Sequence, residues 1–328
     1  MKRILFSLCS TLVFIGCSSA TTSTTETSVP AESQTVVVTY SVLGAIVSEL
    51  VGEMAEVKVI IPDGQDPHDF EPSAKDIEAM NSADLIVSNG LGLEEGLDDA
   101  LIAADQRGTP HFVVSDHVTT RTGGSHSHES EDADHSHGSE DADHSHGSEE
   151  PEESDHAAEE ESAIDPHLWL SPHTMSEMLD DLGEALESAL GIDVSAAATS
   201  MSASLDALDV AISTRITGLD SCTLVTGHDE LGYFADRYGC TVVGTVIPSF
   251  STTAEASAGE LAEIGALVRE YKVKAIFTGL GTADDVADRL SEELGVPAIE
   301  LATHYLDGVS NYEAFMNRLV DQIVEGLS

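Results

Sequence analysis

Val57-Lys58-Val59-Ile60-Ile61-Pro62-Asp63-Gly64-Gln65-Asp66-Pro67-His68 reads as a strand, a turn and a histidine held just past the strand's end. Val57 to Ile61 is largely β-branched and apolar. Pro62-Asp63-Gly64 stops it, because Pro has no N–H to donate and Gly permits a tight reversal. The same alternation recurs on both sides of this stretch. Upstream, Val36 to Thr39 is a strand and Leu43 to Val51 a helix. Downstream, Ser73 caps a helix through Met80, Asp84 to Ser88 is a strand, Leu93 to Ala104 is helical, and His111 to Val114 is strand-like. This pattern predicts an α/β fold built on a parallel sheet with helices on both faces.

Residues 122–161 interrupt the pattern. Ser130-Glu-Asp-Ala-Asp-His-Ser-His-Gly138 is repeated without change over Ser139 to Gly147. Residues 125–161 hold 15 acidic side chains and seven histidines but no Lys or Arg, so no core can be built from them. They are expected to form a disordered insertion. Beyond it, His173 to Leu190 reads as one amphipathic helix and Val194 to Leu219 as a second, about 35 Å long at 1.5 Å per residue. Strands then return at Thr223–Thr226, Thr241–Val246, Ala275–Thr278 and Pro297–Leu301. Helices are expected over Glu230–Tyr238, Ala254–Tyr271, Thr282–Leu294 and Tyr312–Leu327. The expectation is two α/β lobes, each a parallel sheet flanked by helices, joined by a long helix. The first lobe spans 35–190 with the insert at 122–161, the joining helix 191–220 and the second lobe 221–328.

The start of the chain carries an export pattern. Met1-Lys2-Arg3 precedes an apolar run, Ile4 to Ile15, too short to span a bilayer as a mature helix. Gly16-Cys17-Ser18 then resembles a bacterial lipobox, so 1–16 reads as a signal peptide and Cys17 as the lipidated residue. The Ser/Thr-rich residues up to 34 read as a tether. The membrane is expected to be engaged through this lipid alone, placing the protein on the outer face of the cytoplasmic membrane. In an exported protein Cys222 and Cys240 can pair. Each precedes a strand of one β-α-β unit, and parallel neighbours begin at the same edge. The alternative is two unpaired buried thiols.

A net charge of −47 excludes nucleic acid and anionic membrane surfaces as partners of the bulk surface, and suits a protein that handles cations. Aromatics at 5% argue against a carbohydrate-stacking protein. Seven histidines lie outside the insert. His68 follows the Val57–Ile61 strand, His228 follows Thr223–Thr226, and His304 follows Pro297–Leu301. His167 lies in Asp165-Pro166-His167, where the chain returns from the insert. Open α/β sheets place ligands beyond the carboxyl ends of their strands. Asp-Pro-His occurs twice, at 66–68 and 165–167, and Pro stiffens each loop. The preceding carboxylates, Asp66 and Asp165, are placed to accept a ring N–H and fix the tautomer. Four converging imidazoles suit tetrahedral Zn²⁺. His111, His117 and His173 read as a strand residue, a turn residue and a helix-start residue.

These motifs resemble those of the metal-binding solute-binding proteins of the cluster A-I (cluster 9) class, the ZnuA-type zinc receptors of ABC importers. The matching pieces are Gly64-Gln-Asp-Pro-His-Asp-Phe-Glu-Pro-Ser73, Asp165-Pro-His-Leu-Trp-Leu-Ser-Pro172 and His228-Asp-Glu-Leu-Gly-Tyr-Phe-Ala-Asp-Arg-Tyr-Gly239. The resemblance covers about residues 35–328. It implies a rigid joining helix, metal in the cleft, and delivery of Zn²⁺ to an ABC permease with its own ATPase subunit. A monomer is expected. His68 and His167 would come from the first lobe, and His228 and His304 from the second. Two departures stand out. Ile276-Phe277 is followed by Thr278-Gly279, where the family often has an acid. In Thr303-His304-Tyr305-Leu306, His stands where manganese-type relatives carry Asp. Nitrogen donors favour Zn²⁺ over Mn²⁺. Asp307 is the competing fourth ligand.

His126, His128, His135, His137, His144, His146 and His156 in the insert are expected to hold Zn²⁺ loosely among dense carboxylates; the alternative is a solvated spacer. Imidazoles must be neutral to ligate, so affinity is expected to fall as pH drops through about 6.5. Three alternatives remain: a Mn²⁺ receptor of the same class, an adhesive surface protein, and a zinc hydrolase. The hydrolase would have three His ligands, an open water position and Glu230 or Asp307 as base. Walker, nucleophile-elbow and dinucleotide motifs are not apparent in the sequence, so no enzymatic activity is expected of this chain and ATP hydrolysis is assigned to a partner.

Overall fold

β1 (Thr35–Tyr40) is an uninterrupted apolar run because both its faces are covered: Val36, Val37, Val38 and Tyr40 are fully buried. The computed structural model describes residues 34–123 and 163–328. The export signal, Cys17 and all seven insert histidines lie outside the described residues.

α1 (Ser41–Val51) follows β1 directly and is buried over nine of its residues, so it lies inside the fold rather than on its surface. β2 (Glu56–Ile61), α2 (Ala74–Asn81), β3 (Leu85–Ser88), α3 (Asp98–Arg107) and β4 (His111–Val113) complete the first sheet. Its order is β2-β1-β3-β4, and every pairing is parallel. The second sheet repeats this plan. It comprises β5 (Thr223–His228), β6 (Thr241–Ile247), β7 (Ile276–Thr278) and β8 (Ala298–Glu300), all parallel, in the order β6-β5-β7-β8. The α/β class and two-sheet plan expected from the sequence are therefore observed. In both sheets the strand order reverses beside the first strand, the place where such folds leave a crevice at their carboxyl edge.

α4 (Pro172–Glu177), α5 (Leu179–Leu190) and α6 (Ser195–Thr217) lie between the sheets in the chain. The single helix expected over His173–Leu190 is thus interrupted at Met178, whose backbone stays near-helical at φ −82°, ψ −13°. The apolar stripe Met175, Met178, Leu179, Leu182, Leu186, Leu190 runs through the break, so periodicity does not reveal it. α6 buries Ala198, Met201, Leu205, Leu208, Ile212 and Ile216 along one face. Asp209 on that face receives two bonds from Arg237, at 2.8 and 2.5 Å, and one from the Tyr238 hydroxyl. That contact ties α6 to α7 (Gly232–Tyr238).

Other helix starts differ by a few residues. Leu93–Ala104 resolves into a short 3-10 turn followed by α3. α8 (Ala258–Tyr271) begins four residues later than expected, because Ser257 and Glu260 form a reciprocal capping box. α9 spans Asp284–Leu294, and α10 (Tyr312–Leu327) closes the chain. α10 buries Tyr312, Phe315, Met316, Leu319, Val320 and Ile323 in the same apolar cluster as β1 and α1. A smaller cluster of Val225, Val246, Ile247, Ile264, Val268 and Ile276 underlies the second sheet. The sheets separate at α6, whereas the apolar packing runs past it.

Cys222 and Cys240 are disulfide-bonded, with Cα atoms 4.7 Å apart. Thr223 and Thr241 are register partners, and the Thr241 N–H donates to the Cys222 carbonyl at 2.8 Å. Parallel pairing thus brings the two sulfurs together, as the β-α-β reading predicted. No helix among the described residues is long and apolar enough to cross a membrane.

Candidate metal centre

The two Asp-Pro-His motifs fold alike. Asp66 Oδ1 accepts the His68 backbone N–H at 3.0 Å, and Asp165 Oδ1 accepts that of His167 at 2.9 Å. In each, Pro removes a competing donor and the aspartate closes a turn on the residue two ahead. They differ in what else the carboxylate holds. Asp165 Oδ1 faces His167 Nδ1 at 2.8 Å, as expected of a tautomer-fixing partner. Asp66 does not serve that purpose for His68. Its Oδ2 instead accepts the Thr252 hydroxyl at 2.7 Å, from the loop beyond β6.

His228 is the last residue of β5, and His304 lies in the loop after β8. These loops meet those carrying His68 and His167. His68 Nε2 is 3.3 Å and His228 Nε2 is 3.2 Å from His167 Nε2. One ring nitrogen from each of His68, His167, His228 and His304 lies within 4.8 Å of the others. A tetrahedral ion with Zn–N near 2.0–2.1 Å needs nitrogens about 3.3–3.4 Å apart. The two shortest separations meet that spacing without rearrangement.

The centre is dry. His167 and His228 are 0% exposed, His304 1% and His68 8%. Burial, then the neighbouring His167, pushes the His68 ring down to about 3. Burial and the other rings also lower His228 and His304 well below the usual imidazole value. Neutral rings offer lone pairs. Asp165 faces His167 Nδ1, which leaves Nε2 as the His167 nitrogen turned toward the other rings. His304 Nε2 is buried without a hydrogen-bond partner. Converging acceptors of this kind call for a cation. An open cavity of about 530 Å³ has His68 in its wall beside Asp69, Glu71, Glu95, Asp98 and Asp99.

Several residues not legible as site residues brace these rings. Trp169 Nε1 donates to the Thr303 carbonyl at 2.6 Å, joining the loops of His167 and His304. Arg121 donates to Asp165 Oδ2 at 2.7 Å and to Asp236 Oδ2 of α7 at 2.8 Å. Tyr233 of α7 donates to the Asp165 carbonyl and accepts the Arg121 backbone N–H, both at 3.1 Å. A Cβ at position 232 would lie 1.8 Å from Arg121 Nη1 and 2.5 Å from Asp165 Oδ2, so a larger residue there displaces this ion pair. Asp63 Oδ1 accepts the Leu306 N–H at 2.6 Å. Their partners lie far away in the chain, so no local pattern announces them.

Asp307 is not in the cluster. It adopts φ 51° and forms an ion pair with Arg318 at the surface. His111 bridges Ser88 at 2.8 Å and Asp105 at 2.9 Å, His117 contacts Asp181 and stacks on Phe112, and His173 sits near Glu177. The Ser88–His111–Asp105 chain has the connectivity of a hydrolytic triad, but Ser88 is 1% exposed and out of a substrate's reach.

Comparison with known proteins bears on the family and the fold. Zinc-binding protein AdcA of Streptococcus pyogenes is 28% identical over 284 residues, 85% of this chain and 51% of AdcA. The chain thus spans about half the length of that relative. Manganese-binding lipoprotein MntA of Halalkalibacterium halodurans is 26% identical across 100% of both chains. The periplasmic zinc-binding protein TroA of Treponema pallidum superposes with a TM-score of 0.72 at 24% identity, covering 90% of this chain and 99% of TroA, which shows the shared fold. The profile of the family described as zinc-uptake complex component A, periplasmic, matches residues 36–326. That family comprises substrate-binding receptors of metal importers rather than enzymes. With the match running from β1 to the end of α10, the chain belongs to the ZnuA family.

Proposed function

We propose that this chain captures Zn²⁺ between its two sheets and presents it to an ABC permease driven by a separate ATPase subunit. The ligands are His68 and His167 from loops of the first sheet, and His228 and His304 from loops of the second. The observation that carries this reading is the 3.2–3.3 Å spacing of the Nε2 atoms in a dry, four-imidazole centre. Ligands drawn from both sheets couple occupancy to the lobes' relative position, the difference a permease can read. An all-nitrogen donor set favours Zn²⁺ over Mn²⁺, which prefers oxygen. The end-to-end likeness to a manganese-binding lipoprotein makes Mn²⁺ the second reading.

The same proposal has Cys17 lipid-anchored, the protein monomeric outside the cytoplasmic membrane, and residues 125–161 holding Zn²⁺ weakly. Competitive titration of apo protein with Zn²⁺ and Mn²⁺ tests it. One tight Zn²⁺ per chain is expected, retained when residues 125–161 are deleted. Tighter binding of Mn²⁺ would transfer the assignment to the second reading, and loss of the tight site on deletion would overturn the division of labour.

A further inference from the structure

Three of the rings have their outer nitrogen near an anchoring group, and two share one anchor. Asp165 backs His167. Behind His228 and His304 lies a single carboxylate, Glu230, 1% exposed. Its Oε1 is 3.7 Å from His228 Nδ1 and its Oε2 is 3.6 Å from His304 Nδ1. The Thr303 hydroxyl stands close by, 2.9 Å from His304 Nδ1. His228 Nδ1 and Glu230 Oε2 are both buried without a hydrogen-bond partner.

The charge around the centre is unequal. Asp165 is matched by Arg121. Among the described residues, no Lys or Arg forms an ion pair with Glu230; its only ion-pair neighbours are the two rings. A buried carboxylate without a cation is costly. A dication at the centre, surrounded by neutral imidazoles, lacks a counter-charge. Each supplies what the other is missing.

We propose that Glu230 is a positioning residue for metal capture: its carboxylate orients His228 and His304 from behind and supplies the negative charge that a divalent cation in the four-histidine centre requires. This rests on the reading of that centre as the zinc site. At 3.6–3.7 Å the carboxylate acts on both rings through its charge rather than through a hydrogen bond, and outer-shell partners of metal-ligating imidazoles are worth about 10–100-fold in metal affinity. One carboxylate serving two ligands also couples their orientations.

The test separates charge from shape. Glu230→Gln keeps the volume and removes the charge; Glu230→Asp keeps the charge and shortens the reach. Zn²⁺ affinity is measured by chelator competition beside wild type, with the thermal midpoint of each apo protein as the folding control. Gln is expected to weaken Zn²⁺ about 10–100-fold without lowering the apo midpoint, and Asp is expected to bind more tightly than Gln. Gln within twofold of wild type, or Asp weaker than Gln, would overturn the proposal and leave Glu230 a space-filling residue. If Gln does not fold, Thr303→Val, which removes the hydroxyl that lies beside both His304 Nδ1 and the Glu230 carboxylate, is expected to weaken Zn²⁺ several-fold, and unchanged affinity there would overturn it too. Absence of tight Zn²⁺ binding in wild type is a separate result, and sinks the zinc reading itself.

Discussion

Arg121 donates from Nη1 to Asp165 Oδ2 at 2.7 Å, although 44 residues and the whole histidine-rich insert separate them. The chain closes at this point: the Asp165 N–H donates to the Arg121 carbonyl at 3.0 Å, and Thr122 pairs with Ile164 in an antiparallel bridge. Arg121 also reaches Asp236 on α7, so one guanidinium joins the root of the insert, the carboxylate behind His167 and the second sheet's first helix. Arg121→Ala strips Asp165, which is 0% exposed, of its cation. Removing one partner of a buried pair costs about 3–5 kcal/mol, less here because Arg121 itself is partly open to water. The expected outcome is a lower apo denaturation midpoint and Zn²⁺ affinity reduced about tenfold, read by stopped-flow chelation. Unchanged release kinetics would show that His167 needs no such support.

His304 and Asp307 make a direct contrast. His304 is buried in the cluster, whereas Asp307 faces Arg318 at the surface. His304→Ala is expected to weaken Zn²⁺ by at least about tenfold and open a coordination position to water. Asp307→Ala is expected to leave affinity unchanged. The reverse ranking in a competitive titration would move the fourth ligand to Asp307.

The disulfide sits at the opposite end of β5 from His228, about 20 Å away along a six-residue strand. Cys222→Ala with Cys240→Ala opens a loop of sequence separation 18 and is expected to cost roughly 3 kcal/mol of stability. Zn²⁺ affinity measured well below the melting temperature is expected to stay within about twofold, a small fraction of the tenfold that 1.4 kcal/mol would give. A large loss of affinity would show that strain travels along β5 to the centre.

Acid should act on the apo protein in a definite direction. His68, lowered from 6.5 to about 3, binds fewer protons folded than unfolded between those values; His228 and His304 shift the same way. Their stabilising contribution is complete above 6.5 and is lost as pH falls, by up to about 1.4 kcal/mol per unit per ring. Glu94 and Glu230, raised by burial from 4.5 to about 7, act in the opposite sense: their contribution is present below 4.5 and lost as pH rises toward 7. Urea titrations of wild-type and Glu94→Gln apo protein separate the two contributions: with one raised carboxylate removed, stability is expected to rise more steeply from pH 4.5 to 6.5 in the variant than in wild type. The same depressed rings shift the fall in zinc affinity, expected near 6.5 from free imidazole alone, to more acid pH. A fall centred at 6.5 would mean that the folded rings protonate as readily as in a peptide.

The cavity beside His68 predicts a kinetic effect. Asp98 and Asp99 begin α3, and burial, with Glu95 and Asp99 close by, raises the Asp98 carboxyl above its ordinary value. Such a mouth concentrates cations and loses that power as salt rises. Neutralising Glu95, Asp98 and Asp99 together is expected to slow Zn²⁺ capture several-fold at low salt while leaving its release rate unchanged. Equal effects at low and high salt would point to altered structure instead.

Much of the architecture was legible because it is written locally. Val36–Thr39, Val57–Ile61 and their counterparts are apolar runs bounded by turn residues, and each observed strand overlaps the run that predicted it. The Cys222–Cys240 bond followed from two strands starting at one edge. The break at Met178 was not legible, since its apolar stripe is continuous. The late start of α8 was legible in Ser257 and Glu260, a capping signature that outweighs the helical reading of Ala254–Ala256.

By itself, then, the sequence determined the α/β alternation, the parallel sheets, and the three strand-end loops and one insert-return loop that carry histidine, because spacing and turn chemistry act over a few residues. Only the tertiary structure decided that Asp66 holds Thr252 rather than the His68 ring, that Asp307 turns to Arg318, and that Arg121 and Glu230 stand behind the imidazoles. Those outcomes depend on which distant loops meet in a dry crevice, where each buried charge must find its partner across the fold, and no short stretch of chain records that meeting.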